Sequence, residues 1–156
     1  MNTFYKDLER GKVGEQLVLD TFSSLGYYVE DTSNNPDYFK DDIDFIVADG
    51  LKYEVKTDYR MNDTGNIALE DSTWYFRDGS EKQSWLWTSK ADFFCFVNPY
   101  DTKQFYVIKT SDLRQLVKIE GFRTIDFNDD YKVNTIVLLP YKKYLDCFEI
   151  VETEVE

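Results

Sequence analysis

Asp44, Glu54 and Lys56 fall within the stretch IDFIVADGLKYEVKTD, residues 43–58, which otherwise reads as a β-hairpin. Asp49-Gly50 is the turn signal. A two-residue turn would set Ala48 opposite Leu51 and place Asp44 on one face with Tyr53 and Val55. A three-residue loop over Ala48–Gly50 sets Val47 opposite Leu51 instead, with Gly50 in the left-handed position such loops require. Ile43, Phe45 and Val47 then face Val55, Tyr53 and Leu51 as a continuous apolar surface. Register follows this pattern, because a one-residue slip turns every side chain to the other face. On the opposite face Asp44 lies across from Glu54, with Cβ atoms roughly 5 Å apart, and Lys56 is the diagonal neighbour. Carboxylates that close repel unless a proton or cation lies between them. A hard divalent cation suits an all-oxygen set, and a lysine beside it can orient water or steady an oxyanion. The other reading of the same spacing is a polar sheet face on which Lys56 simply neutralises two acids.

Composition narrows the chemistry further. The chain has no histidine, which excludes Ser-His-Asp triads, histidine-based nucleases, and zinc or haem sites with His ligands. General-base work falls to Asp, Glu, Lys, Tyr or a metal-bound water. Lys and Arg number 18 and Asp and Glu 30, a net charge of −12. That balance argues against broad nonspecific affinity for nucleic acid, most of which comes from phosphate contacts. It leaves room for a local basic groove, and equally for a protein partner. No apolar run of about 18 residues is present, so no membrane span is expected. The start, MNTFYKDLERGK, lacks a signal core. Cys95 and Cys147 lie in apolar stretches and read as buried thiols in a reducing cytoplasm.

The elements that must position these residues read as follows. At 156 residues the chain is expected to be a single domain, 1–156, with an acidic, frayed tail over 149–156. Leu17, Val18, Phe22 and Leu25 keep helical spacing, and Gly26 is a stop. Glu15 lies beside that stripe. DTSNNPDYFKDD reads as a polar loop, with Asp37, Asp41 and Asp42 as solvated acids. After the hairpin, NIALEDSTWYF and SWLWTSK read as strands joined by RDGSEK, and ADFFCFVNP and QFYVIK as a further pair. TSDLRQLVK reads as a short helix, TIVLLP as a strand and YKKYLDCF as a terminal helix. The fold class expected is α/β: a central mixed sheet with an N-terminal helix and peripheral helices.

Asp44 followed by Glu54-Val55-Lys56 on apolar strands resembles the PD-(D/E)xK nuclease superfamily, whose fold is restriction-endonuclease-like. The preceding helix with Gly14-Glu15 resembles the archaeal Holliday-junction-resolvase branch. TGNIALE followed by SWLWTSKADFFCFV is similar to phage-encoded proteins of that superfamily. The resemblance covers about Gly11 to Lys109. The literal Pro-Asp, Pro36-Asp37, lies in the loop, whereas Ile43 precedes Asp44.

The resemblance implies a metal-dependent DNA endonuclease, resolvase-like on branched DNA and working in a host cytoplasm. Asp44, Glu54 and the Val55 carbonyl would hold Mg²⁺ or Mn²⁺, joined by Glu15 from the helix and Glu70 from the next strand. Lys56 would position the attacking water. Lys90 and Ser89 would reach a phosphate. Lys12, Lys52, Arg60, Arg77 and Lys82 are candidate DNA-backbone contacts, and Trp74, Trp85 and Trp87 candidate stacking platforms. A resolvase-like enzyme favours a homodimer. The strong negative charge keeps an alternative open: a catalytically inactive protein of the same fold that binds a host or phage protein.

Overall fold

The computed structural model describes residues 3–153. Helix α1 (Thr3–Ser24) leads into β1 (Val29–Asp31), the short α2 (Pro36–Phe39) and the hairpin β2 (Phe45–Val47) and β3 (Leu51–Thr57). Then come α3 (Met61–Thr64), β4 (Ile67–Tyr75), β5 (Glu81–Gln83) and α4 (Trp85–Thr88). The chain continues through β6 (Phe93–Val97), β7 (Gln104–Lys109), α5 (Thr110–Glu120), β8 (Thr124–Asn128), β9 (Lys132–Leu139) and β10 (Glu149–Glu152).

The strands form a six-stranded sheet, β1-β2-β3-β6-β7-β10, and a four-stranded sheet, β5-β4-β9-β8. In the first, β3 and β6 are parallel and the other neighbours antiparallel. The expected α/β class with a mixed sheet is therefore the observed one. Parallel neighbours need a long crossover, and here it carries α3, β4, β5 and α4.

The first sheet is buried on both faces. On one face, Val18 and Phe22 of α1 pack against Phe45, Val47, Tyr53, Val55, Cys95, Val97, Phe105 and Val107. The other face gives Phe94, Phe96, Tyr106 and Ile108 to a second core, shared with Ile67, Leu69, Val137 and Leu139 of the second sheet and with Leu86, Leu113 and Val117. Each such side chain removed from water contributes roughly 1.5–3 kcal/mol. β6 reads FFCFV because its alternate residues serve two apolar faces.

Several expectations need correction. SWLWTSK is not a strand: Trp85–Thr88 form a helical turn that sends Leu86 into the core. The acidic tail begins with a strand, since Glu149–Glu152 pair with β7; residues 154–156 lie outside the described part. YKKYLDCF forms two 3₁₀ turns rather than a helix. Cys95 is buried as expected, whereas Cys147 is exposed. Leu25 lies past the end of α1 and is exposed, leaving Leu17, Val18 and Phe22 as the packed stripe. No described helix is long and apolar enough to cross a membrane.

Candidate active site

The hairpin closes with the three-residue loop. Val47 pairs with Leu51 and Phe45 with Tyr53, and Gly50 has φ +83°. Asp44 immediately precedes β2, and its N–H donates to the Tyr53 carbonyl at 2.9 Å. Its carboxylate then takes over the ladder, Oδ2 accepting the Val55 N–H at 2.7 Å. Asp44 and Glu54 are thereby held side by side at the end of the hairpin. Tyr53 and Val55 alternate with Glu54 and Lys56, so the apolar pair faces α1 and the charged pair faces the other way.

The charged face is not a solvated one. Glu54 is only 3% exposed. The Lys56 ammonium lies 2.7 Å from Glu54 Oε1 and 4.5 Å from the centre of the Trp85 ring. Trp85 itself packs against Phe94, the two rings tilted by 49° with centres 5.3 Å apart. Glu54 Oε2 is buried with no hydrogen-bond partner. Such an atom costs about 1–3 kcal/mol, more when charged, unless something binds it.

Glu15 arrives because α1 presses unusually close to β3. At Gly14 a Cβ would overlap Thr57 Oγ1 and meet Val97 Cβ at 3.3 Å. Thr57 Oγ1 also donates to the Gly11 carbonyl at 3.2 Å. Only glycine permits this approach, and the next residue is Glu15. Glu15, Asp44, Glu54, Val55 and Lys56 line one cavity of about 530 Å³.

Asp42 lines it too, and reading the sequence as a solvated loop missed it. Its φ of +56° is left-handed, uncommon outside glycine. The loop is held by Ser89 Oγ donating to the Asp42 carbonyl at 3.4 Å and by Lys90 N–H donating to the Asp41 carbonyl at 2.9 Å. An Asp-Asp-x-Asp spacing, with an acid two residues before Asp44, was the available signal.

The electrostatics are those of crowded, dry carboxylates. Burial raises the Glu54 carboxyl, against the pull of Lys56, to about 8. Burial, then Asp44 and Asp31, raise Glu15 to about 7. Burial raises Asp42, and it raises Asp44 despite the Val55 N–H. For Lys56, burial works to lower the pKa, but Glu54, Asp42 and Asp44 outweigh it and keep the amine protonated. Lys56 is therefore a hydrogen-bond donor here and not a base.

Other residues singled out in the sequence lie elsewhere. Glu70 is exposed on the second sheet, paired across from Ile136, and does not line the cavity. Ser89 is buried, and its hydroxyl is engaged with the Asp42 carbonyl and the Ala91 N–H. Lys90 is exposed beside Asp41, 3.6 Å away, and Lys12 is exposed on α1 near Glu15. Arg60 is exposed at the end of the second sheet, its guanidinium 5.8 Å from the Phe127 ring centre. Trp87 donates its indole N–H to Asp71, so of the tryptophans Trp74 is the exposed one.

A hard cation fits the donors present. Among the described residues no cluster of His, Cys, Asp and Glu closes a metal shell by itself. Asp44 and Glu54 nevertheless offer carboxylate oxygens side by side, and the orphaned Glu54 Oε2 lacks a partner. Mg²⁺ is commonly held by one or two carboxylates and keeps several waters.

No protein-family model matches the chain, and no curated protein matches it. A mixed sheet buried on both faces, with α1 packed on one of them, makes a mixed α/β fold. That fold is similar to the structure of a bacterial homing endonuclease, I-Ssp6803I, with a TM-score of 0.50 and 15% sequence identity. The match covers 80% of this chain and 74% of that one.

Proposed function

We propose that this protein is a divalent-metal-dependent endonuclease that hydrolyses DNA phosphodiester bonds, a member of the PD-(D/E)xK type. The observation that carries this is the buried Glu54–Lys56 pair, with its unpartnered Oε2, beside Asp44 in an open cavity. The fold likeness to a homing endonuclease supports it. Asp44, Glu54 and the Val55 carbonyl would hold Mg²⁺ or Mn²⁺, with Glu15 as a further ligand or as acceptor of a hydrogen bond from the ion's water. The ion, when bound, supplies neutralising charge and a more acidic water.

The protein's own groups do the rest. Lys56, kept protonated by its carboxylate neighbours, donates to the attacking water and to the phosphate oxygen that gains charge. The Val55 N–H fixes the Asp44 carboxylate. Water oxygen bonds to phosphorus as the ester P–O bond breaks on the opposite side; the water's proton passes to solvent and the leaving oxygen takes a proton from solvent. A preference for branched DNA, and action as a dimer, are the finer parts of the proposal; they rest on the resolvase-like helix glutamate, Glu15.

Purified protein should nick or cut DNA in Mg²⁺ or Mn²⁺ and be silent in EDTA. A panel of linear, supercoiled, single-stranded and four-way DNA tests this, and absence of cleavage on every substrate with both metals would overturn it.

A further inference from the structure

The faces of the second sheet differ in character. Ile67, Leu69, Val137 and Leu139 point into the core. The opposite face holds a shallow groove of about 460 Å³, floored by Ile125, Ile136 and Leu138 and flanked by Arg60 and Arg123. Phe127 stands at its edge, 47% exposed, beneath the Arg60 guanidinium. Farther along this face, Lys132 pairs across from Tyr75 and Lys82 across from Thr73, with the Lys82 ammonium 5.9 Å from the Tyr75 ring centre. Thr73 and Asn134 add polar groups between them. Among the described strand residues, Glu70 is the carboxylate on this face. Asp71 turns to the Trp87 indole and Asp126 to Thr135 on the other side. A chain of net charge −12 has thus gathered Arg60, Arg123, Lys132 and Lys82 onto one sheet face.

We infer that DNA flanking the cleaved bond lies across this face, its phosphates on Arg60, Arg123, Lys132 and Lys82. This rests on the endonuclease reading of the cavity. Charge complementarity names the occupant: cations spaced along an exposed sheet suit a polyanion of regular charge. Reach agrees. Arg60 follows Lys56 by four residues, which places it no more than about 14 Å away along an extended chain. The face runs from the Ile67–Leu139 pair to the Tyr75–Lys132 pair, about 25 Å at strand rise. A duplex advances 3.4 Å per base pair, so the face covers about seven base pairs on one side of the cleavage point.

The test is anisotropy of a labelled 30-base-pair duplex in EDTA, titrated at several salt concentrations, with wild type, Arg123→Gln/Lys132→Gln, and Lys103→Gln/Lys109→Gln as an equal charge change at the two ends of β7. The Arg123/Lys132 variant should bind at least about tenfold more weakly, and its slope of log affinity against log salt should fall by about 2. The Lys103/Lys109 control should match wild type. Lys82→Gln, on an exposed edge strand, should lower the slope by about 1 and serves if the double variant does not fold. A double variant or Lys82→Gln indistinguishable from a wild type that binds and cleaves would overturn the inference and leave the nuclease reading standing. Wild type that binds through this face without cleaving any substrate would do the reverse. Wild type that neither binds duplex nor cleaves would remove both.

Discussion

The cavity beside α1 and the outer face of the second sheet carry opposite charge, although Lys56 and Arg60 are only four residues apart. In the cavity, Glu15, Asp42, Asp44 and Glu54 surround a single lysine. On the sheet, Arg60, Arg123, Lys132 and Lys82 face a single strand carboxylate, Glu70. Net charge describes neither region, because each is set by which side chains the strands bring to one face. The difference also implies an order of events. Phosphate can settle on the cationic sheet without help, but a scissile phosphate entering the cavity meets buried carboxylates until a cation neutralises them. DNA binding should therefore survive in EDTA while cleavage does not.

The largest expected effect comes from removing the cavity's one cation. Lys56→Ala should lower cleavage by roughly 10²-fold or more, the scale of losing one preorganised donor, while duplex affinity on the sheet stays at the wild-type level. Wild-type cleavage in this variant would remove Lys56 from the chemistry. Asp37→Ala, in the loop that holds the literal Pro-Asp, should leave cleavage unchanged; a loss as large as that of Asp44→Ala would move the ligand assignment to the loop.

Gly14→Ala should disturb the cavity by a different route. The added methyl has no space against Thr57, so α1 must shift and carry Glu15 with it. Overpacking of this kind costs about 1–3 kcal/mol. The melting temperature should fall, and so should the melting shift produced by Mn²⁺. A variant as stable as wild type would show that α1 does not need this close approach.

A smaller effect appears in the pH dependence of the metal-free protein. Glu15 and Glu54 have native pKa values of about 7 and about 8, raised from the usual 4.5. The native state therefore binds more protons than the unfolded state above pH 4.5. This contribution is complete below about pH 4.5 and is lost progressively as pH rises from there through about 7 to 8. Melting in EDTA should fall over that window, and Glu15→Gln should flatten the decline. An equal decline in the variant would exclude Glu15 from the cluster. The smallest effect belongs to Glu70→Gln, on the cationic face. Stability should change by no more than about 0.5 kcal/mol, the metal-induced shift should persist, and duplex affinity should rise slightly.

Much of the cavity was legible in the sequence because period-2 alternation and Asp49-Gly50 determine the hairpin register, and register alone sets Asp44 across from Glu54. The glutamate after Gly14 was legible as a helix acid, but the helix's distance from β3 was not, since it depends on how Gly14 meets Thr57 of β3 and Val97 of β6. Asp42 looked like a solvated acid because nothing local marks its left-handed backbone, which Ser89 and Lys90 hold from far along the chain. SWLWTSK misled because aromatic residues two apart mimic a strand, while Leu86 and Trp87 find their partners in the core and at Asp71 only as a helical turn. β8 went unread although Ile125 and Phe127 alternate within Thr124–Asn128, because the segment is short and mostly exposed, and it is a strand through its pairing with β9. The cationic face joins Lys82 of β5, Arg123 just before β8, Lys132 of β9 and Arg60 after β3, so no single stretch of sequence displays it.

The most direct measurement is a pair of thermal melts, wild type and Asp44→Asn, each in EDTA and then in millimolar Mn²⁺. Asparagine keeps an oxygen for the Val55 N–H and removes one charge from the cluster, so the metal-free variant should melt at or above the wild type. A bound ion stabilises the native state by about 2.7 kcal/mol at a hundred times its Kd, so wild-type melting should rise with Mn²⁺ and the variant should lose most of that rise. A wild-type melt that ignores Mn²⁺, together with a variant that melts below wild type in EDTA, would contradict a metal-binding carboxylate site at Asp44 and Glu54.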